Sequence, residues 1–285
     1  MRPEKVTHMD ILRMSIVIGV LIFTLFPIFW MILTSVKPTE LILRTSPILF
    51  FKPTLEHFKY AFEQASFAHY ISNTLIVSLG STIIVVITGS LASYAFARYN
   101  IGQGNLMFFI LTTRMMPAIA VVLPFFVIFR TVGQSGIGQF LQLGLDRVGT
   151  LIICYTVFNL PFAIWLMHSF FQDIPTELED SARLDGYTRF KVFVKVVLPL
   201  AAPGIAVTAI FCLLFSWNEF LFASVLTRDV ARTITVGVGD FWTLRGILWG
   251  PLSAAATVCV LPMIAFALVL QRWIVRGLTF GAVRG

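Results

Sequence analysis

One stretch of this chain is dense in groups able to do polar work. Between residues 172 and 199, Asp173, Glu177, Glu179, Asp180, Arg183, Asp185, Arg189, Lys191 and Lys195 make nine of 28 positions charged, against 12% for the whole chain. Elsewhere the notable polar groups stand inside apolar runs: Arg114, Asn159, and the triplet Trp217, Asn218 and Glu219. None of them has the spacing of a catalytic motif. No lysine follows a glycine anywhere, so the GxxxxGK loop that cradles nucleotide phosphates is missing and ATP hydrolysis by this chain is not expected. His8, His57, His69 and His168 are too scattered for HExxH, and no GxSxG occurs. No catalytic residue and no metal ligand is assigned. Cys154, Cys212 and Cys259 fall in three separate apolar runs, which suits small buried hydrophobes and not a disulfide framework.

The elements that must hold these groups are set by composition. A chain that is 58% hydrophobic with 28 phenylalanines and a mean hydropathy of +0.88 could not cover its own surface in water. A bilayer removes that requirement. Six windows are long enough, at about 20 residues, to cross one: 11–36, 73–97, 106–129, 149–171, 204–226 and 251–271. The expected fold is all-α, a polytopic membrane protein with six spans forming a single transmembrane domain over 1–285. The basic start, MRPEKVTHMDILR, leads into an apolar run too long for a signal-peptide core and lacking a small-x-small cleavage site, so the first span is expected to be retained. Six spans place both termini on one side. Putting them inside gives eleven basic residues inside against nine outside. The short terminal flanks, with Arg2, Lys5 and Arg13 at one end and Arg272, Arg276 and Arg284 at the other, favour the cytoplasm.

Along the chain, TLEHFKYAFEQ carries Leu55, Phe58 and Phe62 at helical spacing, which predicts a short amphipathic helix in the loop 37–69. Pro117 and Pro124 are expected to break the third span, and broken helices at membrane depth tend to line cavities. The loop 227–250 holds Arg228, Asp229, Arg232, Asp240, Arg245 and three aromatic residues, a surface suited to a protein partner outside. No internal repeat is visible.

In the charged stretch, Thr176 and Glu179 have capping-box spacing, in which hydroxyl and carboxylate each meet an orphan backbone donor. Pro175 and Gly186 supply start and stop signals for a helix over about 177–185, whose acidic first turn suits the helix dipole. After Gly186, Phe190, Phe193, Val194 and Val197 repeat at helical spacing between Arg189, Lys191 and Lys195, predicting a second, basic helix that stops before Pro199. The pair reads either as an interfacial element lying on anionic headgroups or as a rigid protrusion that docks a protein.

The segment resembles the cytoplasmic motif of ATP-binding-cassette importer permeases, whose pattern is E-A-A, three residues, G, nine residues, I, one residue, L-P. On this chain the motif's Glu falls on Asp180, its alanines on Ser181 and Ala182, its Gly on Gly186, its Ile on Val196, and its Leu-Pro on Leu198 and Pro199. Asp180, Ser181 and Val196 depart from the pattern, and Glu179 is close enough to share the acidic role; Asp185, just before the glycine, is counted with the coupling residues. NTLIVSLG, TTRMMPAIAVVLP, SWNEF and the ending QRWIVRGLTFGAVRG extend the resemblance over nearly the whole chain, toward the carbohydrate branch and its smaller maltose-type subunit. The resemblance implies a coupling helix seated in a groove of a separate ATP-binding subunit. It implies that two such ATPases carry ATP and Mg while this chain binds no cofactor. It further implies a second, different permease chain, an extracytoplasmic solute-binding protein engaged by an external loop, and a C-terminal tail, 277–285, at the ATPase interface. The expected location is the bacterial cytoplasmic membrane, among lipid and without nucleic acid.

Arg114 lies about 14 Å into the third span at about 1.5 Å per residue, where a charge costs about 2.5 to 3.5 kcal/mol even on lenient scales. It either ties down backbone carbonyls freed by Pro117 or lines a path and binds sugar hydroxyls or an anionic group. Trp217, Asn218 and Glu219 either stack on and hydrogen-bond a sugar or join helix to helix; Asn159 beside Pro161 is a further cavity candidate. Two other classes fit the sequence less well. An ion-coupled transporter normally shows repeats and intramembrane acids, whereas Glu219 is the one carboxylate within the six windows. A non-transporting scaffold would have little use for prolines and polar residues within its spans.

Overall fold

The computed structural model describes residues 8–63, 65–99 and 101–282. It is helical, as composition demands. Among the described residues five helices are long and apolar enough to cross a membrane, or six when a helix pair bent by 84° is taken as one span. The polar flanks Arg2, Lys5 and Arg284 lie outside the described residues, as does the end of the tail 277–285.

Two compact units divide the chain. The first takes residues 1–67 and 238–261 and holds the first span, His8–Ser35, the short helix Glu56–Glu63 and a two-stranded hairpin, Trp242–Thr243 with Gly246–Ile247. Glu56–Glu63 is the amphipathic helix expected from TLEHFKYAFEQ, but its buried side is His57 and Ala61, while Leu55 and Phe62 are exposed. The reason is local. His57 Nε2 pairs with the Lys37 carbonyl oxygen at 2.8 Å, and Gly250 sits so close that a Cβ there would strike the imidazole. A polar side chain with a fixed partner has outweighed the apolar pattern.

The second unit takes residues 68–237 and 262–285. Its helices are Phe67–Tyr99, Asn105–Thr113, Ala118–Gln134, Val148–Gln172, Glu177–Leu184, Leu198–Trp217 and Leu221–Leu226, and it includes the later part of Trp249–Ala282. Two apolar clusters hold it. One joins Val85, Met167, Phe171, Val192, Phe193 and Cys212 around the charged loop; the other joins Val77, Val122, Leu151, Cys154, Tyr155 and Phe222. Cys154 and Cys212 are thus buried packing groups.

The sequence places breaks in the spans differently from the structure. Pro117 ends a helix as expected: the turns before it tighten, with N–H groups of Arg114, Met115 and Met116 reaching back three residues to Leu111, Thr112 and Thr113. Pro124, by contrast, sits inside the continuous helix Ala118–Gln134. The basic helix does not stop before Pro199 either. Arg189–Val192 passes through a π-turn, Phe193–Val197, directly into Leu198–Trp217. Pro199 has no N–H for the carbonyl four residues back, and the chain widens by one residue there instead of ending: the Leu198 N–H reaches the Phe193 oxygen. The fifth span then closes at Trp217, ahead of the break at 218–220.

Side chains from two earlier segments fasten the loop after Leu226. Asp146, in the left-handed region at φ 57°, accepts from the backbone N–H groups of Arg228, Asp229, Val230 and Ala231 at 2.9–3.1 Å. Burial pushes its carboxyl up, yet the four donors outweigh that and hold it below the usual carboxylate range. From the other side Asn73 donates to the carbonyls of Val230 and Arg232.

Candidate coupling loop and membrane cavity

Glu177–Leu184 ends in a tight cap. Gly186 adopts φ +85°, its N–H donates to the Arg183 oxygen and the Tyr187 N–H to the Ala182 oxygen, the paired bonds of a Schellman motif. A Cβ at Gly186 would meet nothing within 4 Å, so the backbone conformation and not crowding requires glycine. Thr188 then caps Arg189–Val192 through the Lys191 N–H. The capping box does not form. Thr176 has helical dihedrals and no side-chain cap bond, and the Glu179 carboxylate is taken elsewhere.

That carboxylate points inward. Glu179 is 2% exposed; Tyr94 Oη donates to its Oε2 at 2.6 Å and Arg98 Nε to its Oε1 at 2.5 Å. Arg98 Nη2 also donates to the Ile174 carbonyl at 2.8 Å. Asp180, its neighbour, keeps a 66% exposed side chain that pairs, among the described residues, with Arg183 at 3.3 Å. Ser181, Asp185 and Gly186 are exposed, and Ala182 is buried in the core beneath. The outward face adds Leu178, Leu184 and Phe190, with Leu184 91% exposed. Leu198 and Pro199 lie past the π-turn at the start of the fifth span.

A second feature lies among the third, fourth and fifth spans, a cavity of about 350 Å³. Arg114, Asn159, Asn218 and Glu219 all line it, together with Tyr155 and Phe158. Trp217 does not: it is 2% exposed and packed inside the unit. Arg114 ends Asn105–Thr113, donates from Nη1 to the Phe158 carbonyl at 2.6 Å, and lies 4.1 Å from the Phe158 ring centroid and 5.3 Å from that of Phe215. No carboxylate is within ion-pair distance of it among the described residues. Asn159 donates to Ser216 Oγ at 2.9 Å, and Ser216 meets Ser81 Oγ at 3.1 Å, a polar chain across three spans. Glu219 accepts from the N–H groups of Phe222 and Ala223 and so caps Leu221–Leu226. Asn218 bonds the Leu214 carbonyl and is exposed. Part of each group's capacity is used within the protein, and the cavity meets the remainder: guanidinium donors, an amide and the Tyr155 hydroxyl.

The residues 85–280 match the family described as "Binding-protein-dependent transport system inner membrane component". The chain belongs to this family. It is 38% identical over 260 residues to the probable ABC transporter permease protein y4oR of Sinorhizobium fredii (strain NBRC 101917 / NGR234), covering 91% of this chain and 90% of that one. It is 34% identical to the trehalose transport system permease protein SugB of Mycobacterium tuberculosis (strain CDC 1551 / Oshkosh), over the full length of both. It is 33% identical to the trehalose/maltose transport system permease protein MalG of Thermococcus litoralis (strain ATCC 51850 / DSM 5473 / JCM 8560 / NS-C), covering 96% and 97% of the two. In fold it is similar to a chain in the crystal structure of a bacterial ABC transporter involved in the import of the acidic polysaccharide alginate, with a TM-score of 0.75 at 20% identity over 93% of this chain and 98% of that one. This permease is therefore an all-α, multi-pass, membrane-embedded protein.

Tyr94, Arg98, Tyr155 and Ser216 carry much of this geometry, and spacing alone had not marked them. Arg98 did leave a trace: a cation in the last turn of an apolar helix calls for a partner, and Glu179 was an acid whose assigned cap had an alternative.

Proposed function

We infer that this permease is one transmembrane subunit of an ATP-driven, binding-protein-dependent importer for a sugar or sugar derivative. It forms half of the pathway with a second, similar permease chain, and its loop 177–199 docks on a separate ATPase dimer that carries ATP and Mg; the chain itself binds no cofactor and catalyses no reaction. The observation that carries the coupling role is the capped helix Glu177–Leu184, rigid on its inner side and presenting Leu184, Asp180 and Leu178 outward. An apolar knob ringed by charge suits a protein groove better than a headgroup layer, into which a buried acid such as Glu179 contributes nothing. The sugar class rests on relatives named for trehalose, trehalose and maltose, and diacetylchitobiose. The termini and the loop 177–199 face the cytoplasm, and the hairpin with exposed Trp242 and Leu244 faces the solute-binding protein outside.

The cavity beside Arg114 is assigned to the solute path. A half-buried guanidinium with aromatic rings on its faces and donors to spare suits hydroxyl-rich or anionic solutes. The test is uptake into proteoliposomes holding the full complex, offered trehalose, maltose and diacetylchitobiose with the cognate binding protein. Uptake should require ATP inside; uptake without it, or under an ion gradient alone, would overturn the reading. Arg114→Ala should cut uptake about ten-fold, equivalent to one charge-assisted contact of about 1.4 kcal/mol, with the complex intact; undiminished uptake removes the cavity from the path.

A further inference from the structure

The acids Glu179 and Asp180 are neighbours in sequence and opposites in surroundings. Asp180 is open to a partner, whereas Glu179 is enclosed by groups from a part of the chain some eighty residues earlier, Tyr94 and Arg98, at the end of Phe67–Tyr99. Arg98 holds two places at once: its Nε meets the carboxylate in the first turn of the coupling helix, and its Nη2 meets the Ile174 carbonyl at the root of the loop. Packing converges on the same point. The Tyr94 ring lies 4.8 Å from that of Phe193, the first residue of the π-turn, and 5.9 Å from that of Phe171 at the end of the fourth span.

Covalent chain links the loop only to the fourth and fifth spans. The second span has no such link, and a force on the loop would reach it only through side chains able to slide. A buried, charge-assisted pair with a guanidinium bonded at two nitrogens resists that sliding, because parting it strips the Arg98 guanidinium of its carboxylate in a dry site and leaves Glu179 only the longer contact to Arg183 of its own helix, at 3.8 Å. We propose that Arg98 and Tyr94 are positioning residues which, through Glu179, make the second span move as one body with the coupling helix, leaving Asp180 for the ATPase. The proposal rests on the reading of 177–199 as an ATPase-docking loop.

The experiment uses the full complex in nanodiscs, with Cys154, Cys212 and Cys259 replaced by alanine and spin labels at the exposed positions Leu91 and Thr176, the latter next to the coupling helix but outside the docking motif. In the parent complex the distance distribution should be narrow and unchanged by MgATP. Arg98→Gln should widen it at least about two-fold and make it shift on MgATP, while ATP hydrolysis persists; Tyr94→Phe should act in the same direction by less. A parent distance that moves with MgATP, or an Arg98→Gln complex as narrow as the parent, overturns the proposal. If Arg98→Gln does not accumulate in the membrane, Tyr94→Phe decides alone, a parent-like distribution counting against. An ATPase that fails to copurify with the parent chain would sink the coupling reading instead, while the nucleotide-free widths would still test the brace.

Discussion

At the scale of single residues, paired comparisons separate what is internal from what is offered to partners. Glu179→Ala strands the Arg98 guanidinium in a site where both side chains are under a tenth exposed, and removal of one partner from a buried pair costs about 3 kcal/mol or more. Asp180→Ala removes an exposed carboxylate worth about 0.5 kcal/mol or less to the fold. Thermal unfolding of the purified complex should therefore drop for Glu179→Ala and stay at the parent value for Asp180→Ala, whose loss should show only in ATPase retention. Asp146 gives a second comparison. Its carboxyl is held below the usual range, so its stabilising effect is complete above about pH 4 and is lost only as acid titrates the folded-state group. Protection of the 228–231 loop from protease should thus be equal at pH 5 and pH 8. Asp146→Ala, which orphans four backbone donors, should expose the loop at both pH values and cost about 2 kcal/mol.

At the scale of elements, Gly186 is the test of the loop's shape. Its φ of +85° strains any L side chain even in open space, so Gly186→Ala should cost about 1 kcal/mol. Gly186→Pro demands φ near −65° and removes the N–H that meets Arg183, so it should abolish ATP-coupled uptake while the chain still inserts; normal uptake by that variant would contradict the coupling role. The elements also show what could be read without coordinates. Apolar windows found the spans because about 20 residues of hydrocarbon-compatible sequence leave few alternatives to a helix in lipid. Gly186 and Pro117 announced a stop because each restricts its own backbone. Pro124 and Pro199 did not act as stops, because a missing N–H can be absorbed by neighbouring turns, and the absorption depends on packing that no local pattern records. Thr176 and Glu179 had correct capping spacing, yet a guanidinium and a phenol brought from the second span compete better for a carboxylate than a backbone amide does. Arg114, Asn159, Asn218 and Glu219 were legible as polar exceptions and do share one cavity, whereas Trp217 shows that adjacency in sequence does not place a side chain on the same wall.

At the scale of the whole molecule, sidedness is the property most open to direct measurement. Leu184 and Leu244 are both fully accessible tips, one on the coupling loop and one on the hairpin. With the native cysteines removed, Leu244→Cys should react with a membrane-impermeant maleimide in intact cells, and Leu184→Cys only after the membrane is opened. The reverse pattern would invert the assigned orientation.

The π-turn at Phe193–Val197 carries one more consequence, which concerns helical phase. An added residue in a helix advances everything downstream by about 100° about the axis, so the side on which Ser216 and Trp217 fall is set fifteen or more residues earlier by this single widened turn. Deleting one residue there would leave both flanking helices long enough and apolar enough to insert. It would also rotate the fifth span against its neighbours, carrying Ser216 away from Asn159 and Ser81 and turning a different strip of the helix toward Arg114. The Leu-Pro pair that ends the motif thus acts as a rotational setting for the wall of the cavity.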